Sequence, residues 1–170
     1  MAFLQVHPEV GLLGTARREI SASGEVLRTI TPPGDDRALR RVLMGTNPFT
    51  HSSMMFRRTV LDASGWYDER FVVAQDYALW LRMSRLTRLA SLDEPLVLRR
   101  LAPGQLSSAR DTTRIHDEVT AKLKALRSGA YPPWCVIFLA KPVCALALPL
   151  TLRRVIGHVG TGVGYGSCAS

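Results

Sequence analysis

The chain has 170 residues, 46% of them hydrophobic and 21% charged, and a formal net charge of +8. That length holds one domain with a real core plus a tail, and the composition excludes a disordered polymer. The excess of base suits a phosphorylated substrate or an acidic membrane leaflet; nucleic acid is not expected, because Arg17-Arg18, Arg40-Arg41, Arg57-Arg58, Arg99-Arg100 and Arg153-Arg154 are dispersed with no aromatic stacking pattern between them.

Residues 1–6 read as the end of a helix stopped by His7-Pro8, and residues 10–15 as a strand. A Ser21-Ala22-Ser23-Gly24 turn and an alternating run at 26–30 make residues 10–30 a hairpin at a sheet edge. Thr31-Pro32-Pro33-Gly34 then leads into a helical pattern at 38–43, so Asp35 or Asp36 is its N-cap. After Asn47-Pro48 a strand is expected over 50–56, with His51 and Ser52 on it. Arg57 and Arg58 read as a solvated pair opening a short helix that ends at Gly65. Trp66 and Tyr67 offer either an apolar wall for a sugar ring or an anchor in the core, and Asp68 closes the turn.

The next helix opens with Gln75-Asp76-Tyr77 and carries Leu79, Trp80, Met83 and Leu86 at helical spacing. A carboxylate in a first turn meets unpaired N–H groups and the positive end of the macrodipole, so Asp76 is expected to be ionised and fixed, either as a helix-start residue only or as a base presented to a cleft. Two short strands are expected at 89–92 and 95–101, with Asp93-Glu94-Pro95 between them. Residues 111–127 form an amphipathic helix with Ile115, Val119, Leu123 and Leu126 on one stripe and Gly129 beyond its end; His116 and Glu118 read as solvated.

Tyr131-Pro132-Pro133 breaks the chain before a strongly apolar run at 134–152. A spanning helix needs about 20 apolar residues, whereas this run contains Lys141, Pro142 and Pro149 and is followed by Arg153-Arg154. It suits a membrane surface or a helix covering the domain's own core. The Gly-rich tail at 157–170 is expected to be flexible and, with no strand before it or helix after it, is no phosphate loop. Cys135, Cys144 and Cys168 lack metal or CxxC spacing and read as thiols in a reducing compartment. No signal-peptide pattern is visible at the start, so the expected location is cytoplasmic, with association to the inner face of the membrane.

The series HSSMMFRR, SGWYDERF and AQDYALWLR resembles the second half of the catalytic domain of family 2 glycosyltransferases of the GT-A type, over roughly the first two thirds of the chain. The resemblance implies an α/β fold with a mixed sheet, partial with respect to GT-A. It assigns residues 1–110 to the acceptor side, 111–130 to an amphipathic helix, 131–156 to the apolar segment and 157–170 to the tail. In the family a nucleotide-binding half, ending in an Asp-x-Asp motif for Mg2+ or Mn2+, lies ahead of the position of Met1, so the cation is expected while its motif is absent here. The implied activity is transfer of a sugar from a nucleotide-sugar donor to a hydroxyl of a glycan or lipid-linked acceptor, with inversion, in polysaccharide or cell-envelope glycan synthesis. Asp76 is then the base, with Gln75, Tyr77, His51, Trp66 and Arg100 as substrate-binding candidates. The family's His before the 103–107 loop is Ala102 here, which can bind neither metal nor phosphate. A noncatalytic remnant or a basic membrane-associated partner protein is the alternative.

Overall fold

A computed structural model describes residues 2–101 and 111–147. The expectations for Ala102, the 103–107 loop, Cys168, the Gly-rich tail and the apolar run beyond 147 fall outside these residues.

The fold is α/β with a mixed four-stranded sheet built on β1 (Val10–Ile20). Strand β4 (Arg88–Arg100) runs parallel to β1 along its whole length, from Val10 opposite Arg88 to Ile20 opposite Arg100. Strands β2 (Val26–Ile30) and β3 (Met55–Phe56) pair antiparallel with β1, at residues 17–20 and 12–13 respectively. A strand has two edges and β4 takes one, so β2 and β3 divide the other. The 10–30 hairpin is therefore not an edge element as a whole: β1 is central and buried on both faces of its first half. Gly14 is required there, because a Cβ would lie 2.6 Å from the Phe49 ring.

Two strand boundaries differ from expectation. Residues 50–56 contribute only Met55–Phe56 as strand, since His51–Ser53 is a 3-10 turn closed by Ser53 N–H and Ser53 Oγ, both 2.8 Å from the Thr50 carbonyl. Serine bonding to nearby backbone competes with the sheet ladder. Conversely, 88–100 is one strand rather than two. Thr15 pairs with Leu92 and Ala16 with Pro95, so exposed Asp93 and Glu94 are absorbed as a bulge, where proline is tolerated.

Helix α1 (Ala2–Val6) packs Leu4 against Val10, Leu13 and Ala90. Helix α2 (Asp36–Gly45) starts at the N-cap Asp35, whose Oδ1 accepts from Ala38 N–H at 2.9 Å. Asp36 accepts from Leu89 N–H at 2.8 Å and from Arg40 Nε at 2.8 Å, and Arg40 donates to the carbonyls of Ser84 and Thr87. Helix α3 (Arg58–Ser64) stops at Gly65, whose φ of +73° an L side chain rarely adopts. Arg57 is not a solvated residue. Its guanidinium donates to the carbonyls of Leu4, His7 and Val10, pinning the start of α3 to the entry of β1. Arg58 keeps the exposed reading, paired with Asp62.

Helix α4 (Gln75–Met83) is the core helix, with residues 77 to 81 and Met83 buried; Leu86 beyond it is half-exposed at 51%. Helix α5 (Asp111–Arg127), the 3-10 turn Pro133–Leu139 and Tyr131 between them add Ala121, Ala125, Cys135 and the Tyr131 ring to the same apolar cluster as Leu12, Leu43 and Trp80. The buried face of α5 holds Ile115, Asp117, Ala121, Lys122 and Ala125, so it is turned toward polar anchors relative to the predicted stripe. Helix α6 (Ala140–Ala147) follows the 3-10 turn. Among the described residues no helix is long and apolar enough to cross a membrane. Trp134, Val136, Ile137 and Val143 are exposed on this segment.

Candidate active site

A cleft of about 340 Å³ opens where the first turn of α4, the end of α2, the 3-10 turn at 51–53, the upper half of the sheet and the start of α5 converge. Asp76, Tyr77, His51, Asn47, Arg17, Arg99, Arg114 and Glu118 are among its lining residues. Asp76 comes from the first turn of α4, so the buried remainder of that helix fixes its position.

The carboxyl of Asp76 accepts from the N–H of Tyr77 at 2.7 Å and from Asn47 Nδ2 at 3.3 Å. Burial raises its pKa above the usual carboxylate range, against the lowering pull of the Tyr77 N–H, the nearby His51 and Asn47. The helix N-terminus alone predicts a lowered value; desolvation outweighs it. His51 Nε2 lies 2.8 Å from the Tyr67 hydroxyl, and the His51 ring is 6.0 Å from that of Trp80. Tyr67 is in turn pushed up by burial and by the charge of Asp76. Tyr77 is buried and donates its hydroxyl to the Leu43 carbonyl at 2.7 Å, which locks α4 to α2 beneath the cleft.

The other three sequence candidates do not line the cleft. Gln75 is exposed on the first turn of α4. Trp66 is 54% exposed under the Arg58 guanidinium, 5.0 Å from its ring centroid, so it is not a core anchor either. Arg100 points its guanidinium at the turn after β1, bonding the carbonyls of Ser21 and Ala22 at 3.1 and 2.7 Å.

Its neighbour Arg99 does reach the cleft, and it meets a group that the sequence did not disclose. Glu19 is 1% exposed, and Arg28 Nε at 2.7 Å, Arg99 Nη1 at 3.0 Å and Arg17 Nε and Nη2 at 3.4 Å all converge on its carboxylate. Burial pushes the Glu19 carboxyl up, but Arg28, Arg17 and Arg99 together hold it below its ordinary value. Burial lowers the pKa of Arg17, with Glu19 opposing. Period two explains the grouping: Arg17 and Glu19 share a face of β1, and Arg28 and Arg99 stand opposite Glu19 on β2 and β4.

Two residues of α5 that the apolar pattern hid hold the cleft walls. Asp117, buried, accepts the N–H groups of Val72, Val73 and Ala74 at 2.9, 2.9 and 3.4 Å, fixing the loop that delivers Asp76. Lys122, fully buried, donates to the Gly45 carbonyl at 2.8 Å, to Glu118 at 2.6 Å and to the Phe138 carbonyl at 3.3 Å. Glu118 is therefore not solvated; it is paired to Lys122 and Arg114. His116 is exposed, as expected.

Among the described residues no group of three or more His, Cys, Asp or Glu could hold a metal ion. The acid pair Asp35-Asp36 is engaged in capping α2 and in bonding Leu89 and Arg40. The described residues therefore offer no ligand set for the expected divalent cation.

No protein-family model matches the chain, and no curated protein matches it. Among solved structures, the mannosyltransferase PcManGT from Pyrobaculum calidifontis, in complex with GDP-Man and Mn2+, is similar over 94% of this chain and 48% of its own, at 18% identity and a TM-score of 0.42. The chain spans about half the length of that structure.

Proposed function

We propose that the cleft serves glycosyl transfer from a nucleotide-sugar to an acceptor hydroxyl, with inversion at the anomeric carbon, as in family 2 glycosyltransferases of the GT-A type. The observation that carries this reading is Asp76: a half-buried carboxyl on a rigid helix, opening on a cleft, with its proton affinity raised by burial. The order and spacing of the 51–58, 64–71 and 74–82 motifs support it as a resemblance.

An alcohol is a weak nucleophile at neutral pH, so a positioned base must take its proton as the new bond forms. The acceptor oxygen attacks the anomeric carbon and its proton passes to the ionised Asp76 carboxylate. The bond from that carbon to the phosphate oxygen breaks, and its electron pair leaves with the nucleoside diphosphate. Asn47 and the Tyr77 N–H hold the carboxylate in place, and His51, bonded to Tyr67, borders the acceptor. Gln75, Trp66 and Arg100 have no part in this cleft unless substrate extends beyond it. The setting is glycan synthesis, with the exposed apolar face of residues 134–146 resting on a membrane surface.

Release of nucleoside diphosphate from UDP-sugars and GDP-sugars, with sugar acceptors and Mn2+ or Mg2+, tests the reading. Asp76→Asn is expected to lower turnover by about a hundredfold or more. Unchanged turnover in that variant would remove Asp76 as the base. Calorimetry that finds no donor bound, on a chain folded by circular dichroism, favours the noncatalytic partner protein instead.

A further inference from the structure

We infer that the acceptor is acidic, and that Arg17 and Arg99 bind its carboxylate or phosphate in the cleft beside Asp76. The inference rests on the reading of Asp76 as the base. In an inverting displacement the base and the nucleophile lie on one side of the anomeric carbon and the leaving group on the other. Groups that share a small cavity with the base therefore face the acceptor. At about 340 Å³ the cavity has room for little more than a sugar unit or two, and Arg17 and Arg99 line it together with Asp76.

These arginines are built into the wall. Arg17 and Glu19 are 14% and 1% exposed, and Arg17, Arg28 and Arg99 share the one Glu19 carboxylate. Arg17 commits Nε and Nη2 to it and Arg99 commits Nη1. Arg17 Nη1 and Arg99 Nε and Nη2 have no protein acceptor among the described residues. A guanidinium held by one edge presents its other donors in a fixed fork, the geometry that recognises a planar carboxylate or a phosphate. A neutral sugar would leave those donors without a charged acceptor. Glu19 thus orients the fork, and three guanidinium groups on one carboxylate leave positive charge that it does not neutralise.

Calorimetry or NMR titration of the full chain with glucuronate, glucose 6-phosphate and glucose tests this without turnover. Either acid is expected to bind at least about tenfold more tightly than glucose, and the tighter of the two identifies the acidic group. Arg99→Gln is expected to abolish that preference. Arg99→Lys keeps a cation on Glu19, so it serves if the Gln variant does not fold, and its preference is expected to fall severalfold because the fork is lost. Asp76→Asn is expected to retain the preference, since binding an acid needs no base; failure of the base assignment is thereby separated from failure of this site. Equal binding of all three sugars by the wild-type chain, or an unchanged preference in Arg99→Gln, would overturn the inference.

Discussion

Asp76 lines the cleft and Glu19 lies buried behind two arginines that line it, and the two carboxyls respond to pH in opposite senses. The carboxyl of Asp76 is raised by burial, so its folded value lies above its unfolded value. Such a group contributes stability that is fully present below the unfolded pKa and is lost as pH rises through the folded one. Asp76→Asn removes that cost. Its melting temperature is expected to exceed that of the wild type at pH 7, the gap closing as pH falls and the wild-type carboxyl protonates; a variant equally or less stable at pH 7 would contradict this. Glu19 is lowered, because its three arginines outweigh its burial. Its contribution is present above the unfolded pKa and disappears as pH falls through the folded one. Glu19→Gln is expected to cost roughly 3 kcal/mol at neutral pH, the cost of unpairing a buried charge, with the deficit shrinking in acid. Denaturation midpoints across pH 3–8 measure both. At this scale the place of Asp76 in a first helical turn, an N-cap at Asp35 or Asp36 and the turn at Gly65 were legible from local backbone chemistry; the raised proton affinity of Asp76 was not, because tertiary burial sets it. Arg99 was not: the motif alignment selected Arg100, and one step along a strand exchanges the cleft face for the opposite one.

Among the elements, α5 helps to shape the cleft while belonging to neither the sheet nor the motif series. Asp117 gathers three consecutive N–H groups of the loop before α4, and Lys122, five residues on, holds the last carbonyl of α2. Asp117→Ala leaves those three donors facing a void. It is expected to destabilise the chain by about 1–3 kcal/mol and to speed hydrogen exchange at Val72, Val73 and Ala74 more than elsewhere. Uniform loss of protection across the core would indicate general unfolding instead of a local clamp. The length of α5 and its end before Gly129 were readable from periodicity. The clamp was not, because a buried acid on an amphipathic helix looks in sequence like a solvated one until its tertiary partners are known. The same applies to β1: local alternation predicts a hairpin, but only the parallel partner β4, 78 residues away at Val10 and Arg88, makes it the central strand.

The whole molecule carries a net charge of +8, and the described residues include an exposed apolar face at the C-terminal end of the described chain. From Trp134 to Leu146 the exposed side chains include Trp134, Val136, Ile137, Val143 and Leu146, with Lys141 exposed among them, while Cys135 and Leu139 pack on the core. The core side of this segment is thereby accounted for among the described residues. Apolar burial of a large side chain is worth about 1.5–3 kcal/mol, and a basic protein gains further on an anionic leaflet. The full chain is expected to co-sediment with vesicles containing phosphatidylglycerol, less with phosphatidylcholine alone, and less at high salt. Trp134→Ser with Ile137→Ser, which leaves the net charge unchanged, is expected to weaken association by at least about tenfold without changing the fold, because both side chains are exposed at 60% and 67%. If the double variant binds as the wild type does, charge alone mediates the contact and the apolar face has another occupant. The two outcomes separate cleanly, since salt abolishes a purely electrostatic attachment while the apolar contribution survives screening.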